Sequence, residues 1–252
     1  MFAVLQIKKG DTGIKSRIKN FFSPPSVEFR KVHLNNIPVF FTVEATLHKG
    51  EIPWRFIENN CRNLCERLIL PQGIIPPSKS KIKPYTSQSF ETVLLFNTML
   101  HYIRLIKADP AHSYLCLEDT NAVLPSLLLR AVPFFSQINI ITKNKTGYSA
   151  VCNKILDNYG LSVTLTSEPC YTDENTVMVC TNAETVPLLF KGTVFCNRNI
   201  PSPDCFVIKG TSPELSDAIK AIMPDDIDPF LFAAALYELS DVCELSDTRY
   251  IL

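Results

Sequence analysis

Three short polar stretches follow apolar runs and carry the side chains most able to meet a charged ligand. After the run at 113–117 the chain reads Glu118-Asp119-Thr120-Asn121. After 138–141 it reads Thr142-Lys143-Asn144-Lys145, and after 176–180 it reads Thr181-Asn182. Lysine ammonium groups can contact phosphate, whereas carboxylates at a helix start occupy the positive field that would otherwise attract it. The simpler reading of Lys143 and Lys145 is a solvated pair on a loop; the sharper one is a phosphate contact.

Other candidate chemistry is sparse. Cys61 and Cys65 stand one helical turn apart, but zinc needs four ligands, or three plus water. His33, His48, His101 and His112 are scattered without ligand spacing, so no metal site is expected. No G-x-S-x-G, H-E-x-x-H or Walker loop occurs. The pairs Asp173-Glu174 and Asp225-Asp226 lie in turn-like stretches that suit solvated caps better than acid–base catalysis. Trp54 is the sole tryptophan, and packing is its commoner role. The catalytic residue, if there is one, is unknown from this reading.

The elements that must hold these groups follow from composition and pattern. Apolar residues make up 46% of the 252 and charged residues 20%, an ordinary globular mixture. No apolar run reaches the ~20 residues of a membrane span. The apolar start at 1–7 lacks the flanks of a signal peptide. Nine cysteines, mostly inside apolar runs, fit buried thiols in a reducing, cytoplasmic setting. Residues 1–110 hold 16 Lys/Arg against 8 Asp/Glu, and residues 111–252 hold 9 against 17. The opposite signs support a boundary near Pro110. They also raise self-association into a homo-oligomer.

The first half reads as α+β. A strand at 2–7 and a basic turn at 8–20 precede two apolar runs, 27–34 and 37–43, separated by Asn35-Asn36. That pair suits a two-residue hairpin. Pro38 favours an edge position for the second strand. Helices are expected at 53–70, where Ile57, Cys61, Leu64, Cys65 and Leu68 share a face, and at 87–107. A basic, proline-rich connector at 71–84 joins them. The basic stretches at 8–19 and 79–83 lack aromatic interleaving and a recognition motif, so nucleic-acid binding is not expected.

In the second half short continuous apolar runs alternate with helical patterns, which suits a parallel sheet covered on both faces. Strands are expected at 113–117, 138–142, 162–166, 176–180, 193–196 and 205–209. Helices are expected at 121–132, 147–159, 213–222 and 228–240. Gly160 marks a helix end, and Asp226 or Asp228 a helix start.

The segment INIITKNKTGYSAVCNKILDNYGLSV at 138–163 resembles the second strand, helix and third strand of NADP-binding Rossmann domains. The likeness is to the shikimate dehydrogenase and glutamyl-tRNA reductase type. VMVCTN at 177–182 resembles their fourth strand. The resemblance implies NADP as a candidate cofactor, with Lys143 and Lys145 near its 2′-phosphate. The first turn departs from the pattern. Where G-x-G-x-x-G lets backbone approach pyrophosphate, this chain has Glu118-Asp119-Thr120-Asn121-Ala122-Val123. The whole chain has only 8 glycines.

The expected fold is α/β: a doubly wound, mostly parallel Rossmann-like sheet over 111–252, with a smaller α+β domain over 1–110. A small-molecule ligand is expected in the interdomain cleft at the C-terminal strand ends. Its rim would comprise Glu118, Asp119, Thr120, Asn121, Thr142, Lys143, Lys145, Thr181 and Asn182. The expected function is a non-catalytic ligand-binding or regulatory one with a degenerate nucleotide site. The alternatives are an NADP-dependent oxidoreductase with an unusual phosphate turn, or a protein–protein interaction module.

Overall fold

A computed structural model describes residues 1–8, 25–169, 172–240 and 242–252. Apart from Lys8, the expected basic turn at 8–20 lies outside the described residues. The chain forms two compact units by interleaving: Met1–Ser87 with Leu215–Leu245, and Gln88–Glu214 with Ser246–Leu252. The expected boundary at Pro110 therefore falls inside the second unit, because packing partners rather than sequence order decide which unit each helix joins.

The first unit holds a four-stranded mixed sheet. Strands β1 (Phe2–Lys8), β2 (Val27–Leu34) and β3 (Ile37–Thr46) are followed by helix α1 (Trp54–Cys61) and the short strand β4 (Leu68–Ile69); the sheet order is β2-β3-β1-β4. Asn35 and Asn36 both have positive φ, 49° and 65°, as the two-residue turn between antiparallel β2 and β3 requires. Pro38 does not place β3 at an edge; β3 is central. The proline is tolerated because it sits opposite a register shift at Val32/His33, two residues before the β1 ladder begins at Phe40.

The expected helix at 53–70 is also shorter. It ends at Arg62, whose φ is +43°, and passes through a 3-10 turn. Leu68 and Ile69 then extend to pair with Ala3 and Val4. The apolar face survives the change: Ile57, Cys61, Cys65 and Leu68 still share one buried cluster.

Near the end of the chain, helices α4 (Asp217–Ile222) and α5 (Pro229–Ser240) return to this sheet. Asp228 caps α5 by accepting from the N–H groups of Phe230 and Leu231. Phe232 of α5 packs edge-on against Phe2 and Phe40, which stack on each other at 5.2 Å.

The second unit is built on a six-stranded parallel sheet. Helix α2 (Phe90–Ile106) leads into β5 (Tyr114–Glu118). Then come β6 (Gln137–Ile141), helix α3 (Lys145–Tyr159), β7 (Val163–Thr166), β8 (Thr176–Val179), β9 (Thr193–Phe195) and β10 (Phe206–Ile208). Every neighbouring pair is parallel, and the order is β10-β9-β8-β5-β6-β7. The chain thus winds outward from β5 through β6 to β7, returns beside β5, and winds the other way. This is the 3-2-1-4-5-6 Rossmann order, with its switch point between β5 and β8.

Helix α2 packs on β8 and β9. Its buried Asn97 donates to the carbonyls of Ser246 and Thr248, which ties the last residues of the chain to this unit. Helix α3 ends at Gly160, φ 65°, as expected. Among the described residues no helix is long and apolar enough to cross a membrane.

One expected element is missing. Residues 121–132 do not form an α-helix; two 3-10 turns, Leu128–Arg130 and Val132–Phe134, take its place. Pro125 and Pro133 enclose too few residues to sustain a helix, and the residue before each proline is biased away from the helical region. The crossover that carries the phosphate-binding helix in dinucleotide folds is here a coiled loop.

Candidate functional site

Strands β5, β6, β7 and β8 end on one side of the sheet, and a cavity of about 780 Å³ opens over their C-terminal ends. All of its lining residues belong to the second unit. Open α/β sheets bind ligands at this place, outside the carboxyl ends of strands at the switch point.

Five of the nine expected site residues line the cavity: Glu118, Thr120, Thr142, Lys143 and Asn182. Glu118 and Thr142 are buried, while Thr120, Lys143 and Asn182 are exposed. Thr181 contributes through its backbone. Asn121 is an exposed turn residue, and Lys145 opens α3 with its side chain exposed.

Asp119 lies deepest. It is only 3% exposed. Its Oδ1 accepts from the N–H of Val123 at 3.0 Å, and its Oδ2 from the N–H of Leu124 at 2.8 Å. Oδ2 also accepts the hydroxyl of Tyr148 at 2.5 Å. Burial, with Asp119 beside it, pushes the Tyr148 hydroxyl far above its usual range. Two backbone donors of the loop after β5, the N–H groups of Val123 and Leu124, are therefore filled by the protein's own carboxylate, in the region where a dinucleotide fold turns donors toward pyrophosphate. Gly147, in the first turn of α3, makes room for this loop. A Cβ there would stand 2.7 Å from the Cβ of Ala122.

Glu118 closes the other side of the switch point. Its Oε2 accepts from the N–H groups of Thr181 (2.9 Å) and Asn182 (3.0 Å), and its Oε1 from the Thr185 hydroxyl at 3.2 Å. The loop after β8 is thus clamped to the end of β5. The same self-satisfaction recurs at the other turns. Asn144 accepts from the Gly147 N–H and caps α3, and Asn182 accepts from the Glu184 N–H. Thr142 accepts from the Asn144 N–H through Oγ1.

The polar residues that line the cavity are chiefly carboxylate and hydroxyl residues, set among Ile141, Pro169 and Pro187. Sequence reasoning missed Ser167, Glu168, Pro169, Thr172, Glu184, Thr185 and Pro187, all of which line it. No local motif marks them; only the strand order brings 167–169 and Thr172 to the same cavity as Glu184, Thr185 and Pro187. Among the described residues the lining carries three carboxylates, Glu118, Glu168 and Glu184, and one ammonium group, Lys143. Among the described residues no group of three or more His, Cys, Asp or Glu is placed to hold a metal ion.

Among solved structures the chain is similar to an L-tryptophan dehydrogenase from Nostoc punctiforme. Sequence identity is 11% and the TM-score 0.33, over 96% of this chain and 73% of that one. No family model matches the chain, and no curated protein matches it. The Rossmann-like architecture of the second unit is carried by its strand order and register.

Proposed function

We propose that the second unit is a non-catalytic, ligand-binding or regulatory module on a Rossmann-type scaffold. Its cavity takes a small, donor-rich molecule, an amine or amino alcohol, in place of a dinucleotide. The observation that carries this reading is the Asp119 carboxylate, held by the N–H groups of Val123 and Leu124 and by Tyr148. A pyrophosphate would have to displace a buried, fully hydrogen-bonded anion and then sit beside Glu118. Both steps are unfavourable: one leaves a buried charge without partners, the other brings like charges together.

The acceptor-rich lining supports the ligand class. Hydrogen-bond complementarity and a net negative wall favour a cation over an anion. A cavity of about 780 Å³ lies in the range of small-molecule sites, ~300–1,000 Å³. The test is calorimetric titration with a primary amine, an amino alcohol and a polyol of matched size, with inorganic pyrophosphate as the anionic control. The reading expects saturable binding of the amino compounds, weakened at least ~10-fold by Glu168→Gln with Glu184→Gln. Binding of pyrophosphate with no response to the amines would overturn it.

One observation favours a second reading, an NADP-linked oxidoreductase: Lys143 lines the cavity at the end of β6. In NADP-binding folds a basic residue there meets the 2′-phosphate. Under this reading Lys143→Ala abolishes NADPH binding.

A further inference from the structure

Beneath the cavity lies a buried cluster that includes Cys116, Cys180 and Cys196. Strands β8 and β9 pair in parallel with Val177 opposite Thr193, Met178 opposite Val194 and Val179 opposite Phe195. The ladder continues through the Cys180 N–H, which donates to the Phe195 carbonyl at 3.1 Å. The next residues along the two strands are Cys180 and Cys196, side by side. Neighbouring strands stand ~4.8 Å apart, within the ~4.4–6.8 Å Cα separation that a disulfide spans.

The two thiols are chemically unequal, and each is the largest influence on the other. Cys196 accepts from the Arg198 N–H at 3.4 Å, with the Arg198 charge nearby and Glu91 opposing it. Its thiol is held below the ordinary range. Cys180 is held above it by its neighbour Cys196, by burial and by the charges of Glu118 and Cys116. Cys116 lies on β5 opposite Met178, out of register with Cys180.

We propose that Cys180 and Cys196 are a reversible redox pair, oxidised by a hydroperoxide to a disulfide that resets the Glu118 clamp at the cavity floor. The Cys196 thiolate attacks a peroxide oxygen; the O–O bond breaks, the leaving oxygen takes up the proton that the thiol released and departs as water or an alcohol, and Cys196 becomes a sulfenic acid. The Cys180 sulfur then attacks the sulfenyl sulfur. Its proton passes to the departing hydroxyl, water leaves and the S–S bond forms. Two electrons pass from the two sulfurs to the peroxide, and a dithiol reverses the step. Both thiols are closed off from bulk water. The side of the cluster least covered is that of Ile200 and Cys205, which are only partly buried against it, and a small hydroperoxide would enter there.

The link to the site is covalent. Cys180 immediately precedes Thr181 and Asn182, whose N–H groups hold Glu118. Drawing Cys180 toward Cys196 moves those donors. This inference does not depend on the identity of the ligand.

The test is hydrogen peroxide added to the native full chain, followed by peptide mapping and amide hydrogen exchange. The expected result is a Cys180–Cys196 disulfide that forms before the partly exposed Cys152 and Cys205 react. Dithiothreitol reverses it, and exchange at Thr181 and Asn182 changes several-fold. In Cys180→Ala, Cys196 stops at a sulfenic acid that dimedone traps. Oxidation of Cys152 or Cys205 while Cys180 and Cys196 stay reduced would overturn the pair. A disulfide without altered exchange at Thr181 and Asn182 would overturn the coupling. Should the variant fail to fold, mapping of the unmodified chain still decides.

Discussion

The hydroxyl of Tyr148 donates to Asp119 Oδ2 at 2.5 Å, joining the first turns of α3 to the loop after β5, 29 residues away. Both groups are buried, so the bond is made where water cannot substitute for it. Tyr148→Phe removes one donor from a buried carboxylate that keeps two backbone partners. The expected cost is about 2 kcal/mol, read as a lower urea midpoint with an unchanged slope. A neutral result would mean that Asp119 does not rely on Tyr148.

The Glu118 clamp makes a local prediction. Glu118→Ala strips the acceptor from the N–H groups of Thr181 and Asn182, and the expected loss is about 1–3 kcal/mol. Hydrogen exchange at those two amides should rise, while exchange in the centre of β8 stays slow. Glu118→Gln keeps an acceptor oxygen and should fall between the two. Unchanged exchange in the alanine variant would contradict the clamp.

Gly192 tests the close packing that precedes β9. A Cβ at this position would stand 1.9 Å from the carbonyl oxygen of Thr176, a contact with rigid backbone. Gly192→Ala should cost about 3 kcal/mol or more, at or above the top of the ~1–3 kcal/mol usual for overpacking, because the contact is with backbone that cannot turn aside. Thermal unfolding of the variant gives the answer.

Alkaline stability carries a definite sign. Burial, reinforced by Cys65, pushes the Cys61 thiol from an ordinary 9.0 up to about 12. Below pH ~9 both folded and unfolded chains hold this proton. As pH rises from 9.0 toward 12, the unfolded chain ionises first and stability falls. The steepest contribution of one such group is about 1.4 kcal/mol per pH unit. Urea midpoints across this range should decline less steeply in Cys61→Ala. An identical slope in both proteins would remove Cys61 as a cause.

Much of this fold is legible because its signals are local. Asn35-Asn36 announces a hairpin, Gly160 a helix end, and the apolar runs at 138–142 and 176–180 become β6 and β8. Periodicity misled at 121–132, where apolar spacing is helical but Pro125 and Pro133 confine the segment to 3-10 turns. It misled again at 68–69, where a helical face is also the inward face of β4. The site was half legible for a related reason. Glu118, Thr142 and Asn182 follow strands that the sequence marks. The reach of Glu118 to Thr185, 67 residues on, and the placement of Glu168 depend on strand order, which no local pattern encodes.

The most direct measurement is calorimetric titration of the full chain with NADPH and with NADH, beside a Lys143→Ala/Lys145→Ala variant. With the N–H groups of Val123 and Leu124 filled by Asp119, neither nucleotide should give saturable heat, and the variant should behave like the parent. Saturable binding of NADPH that the variant loses would contradict the account, and would establish Lys143 or Lys145 as a phosphate contact.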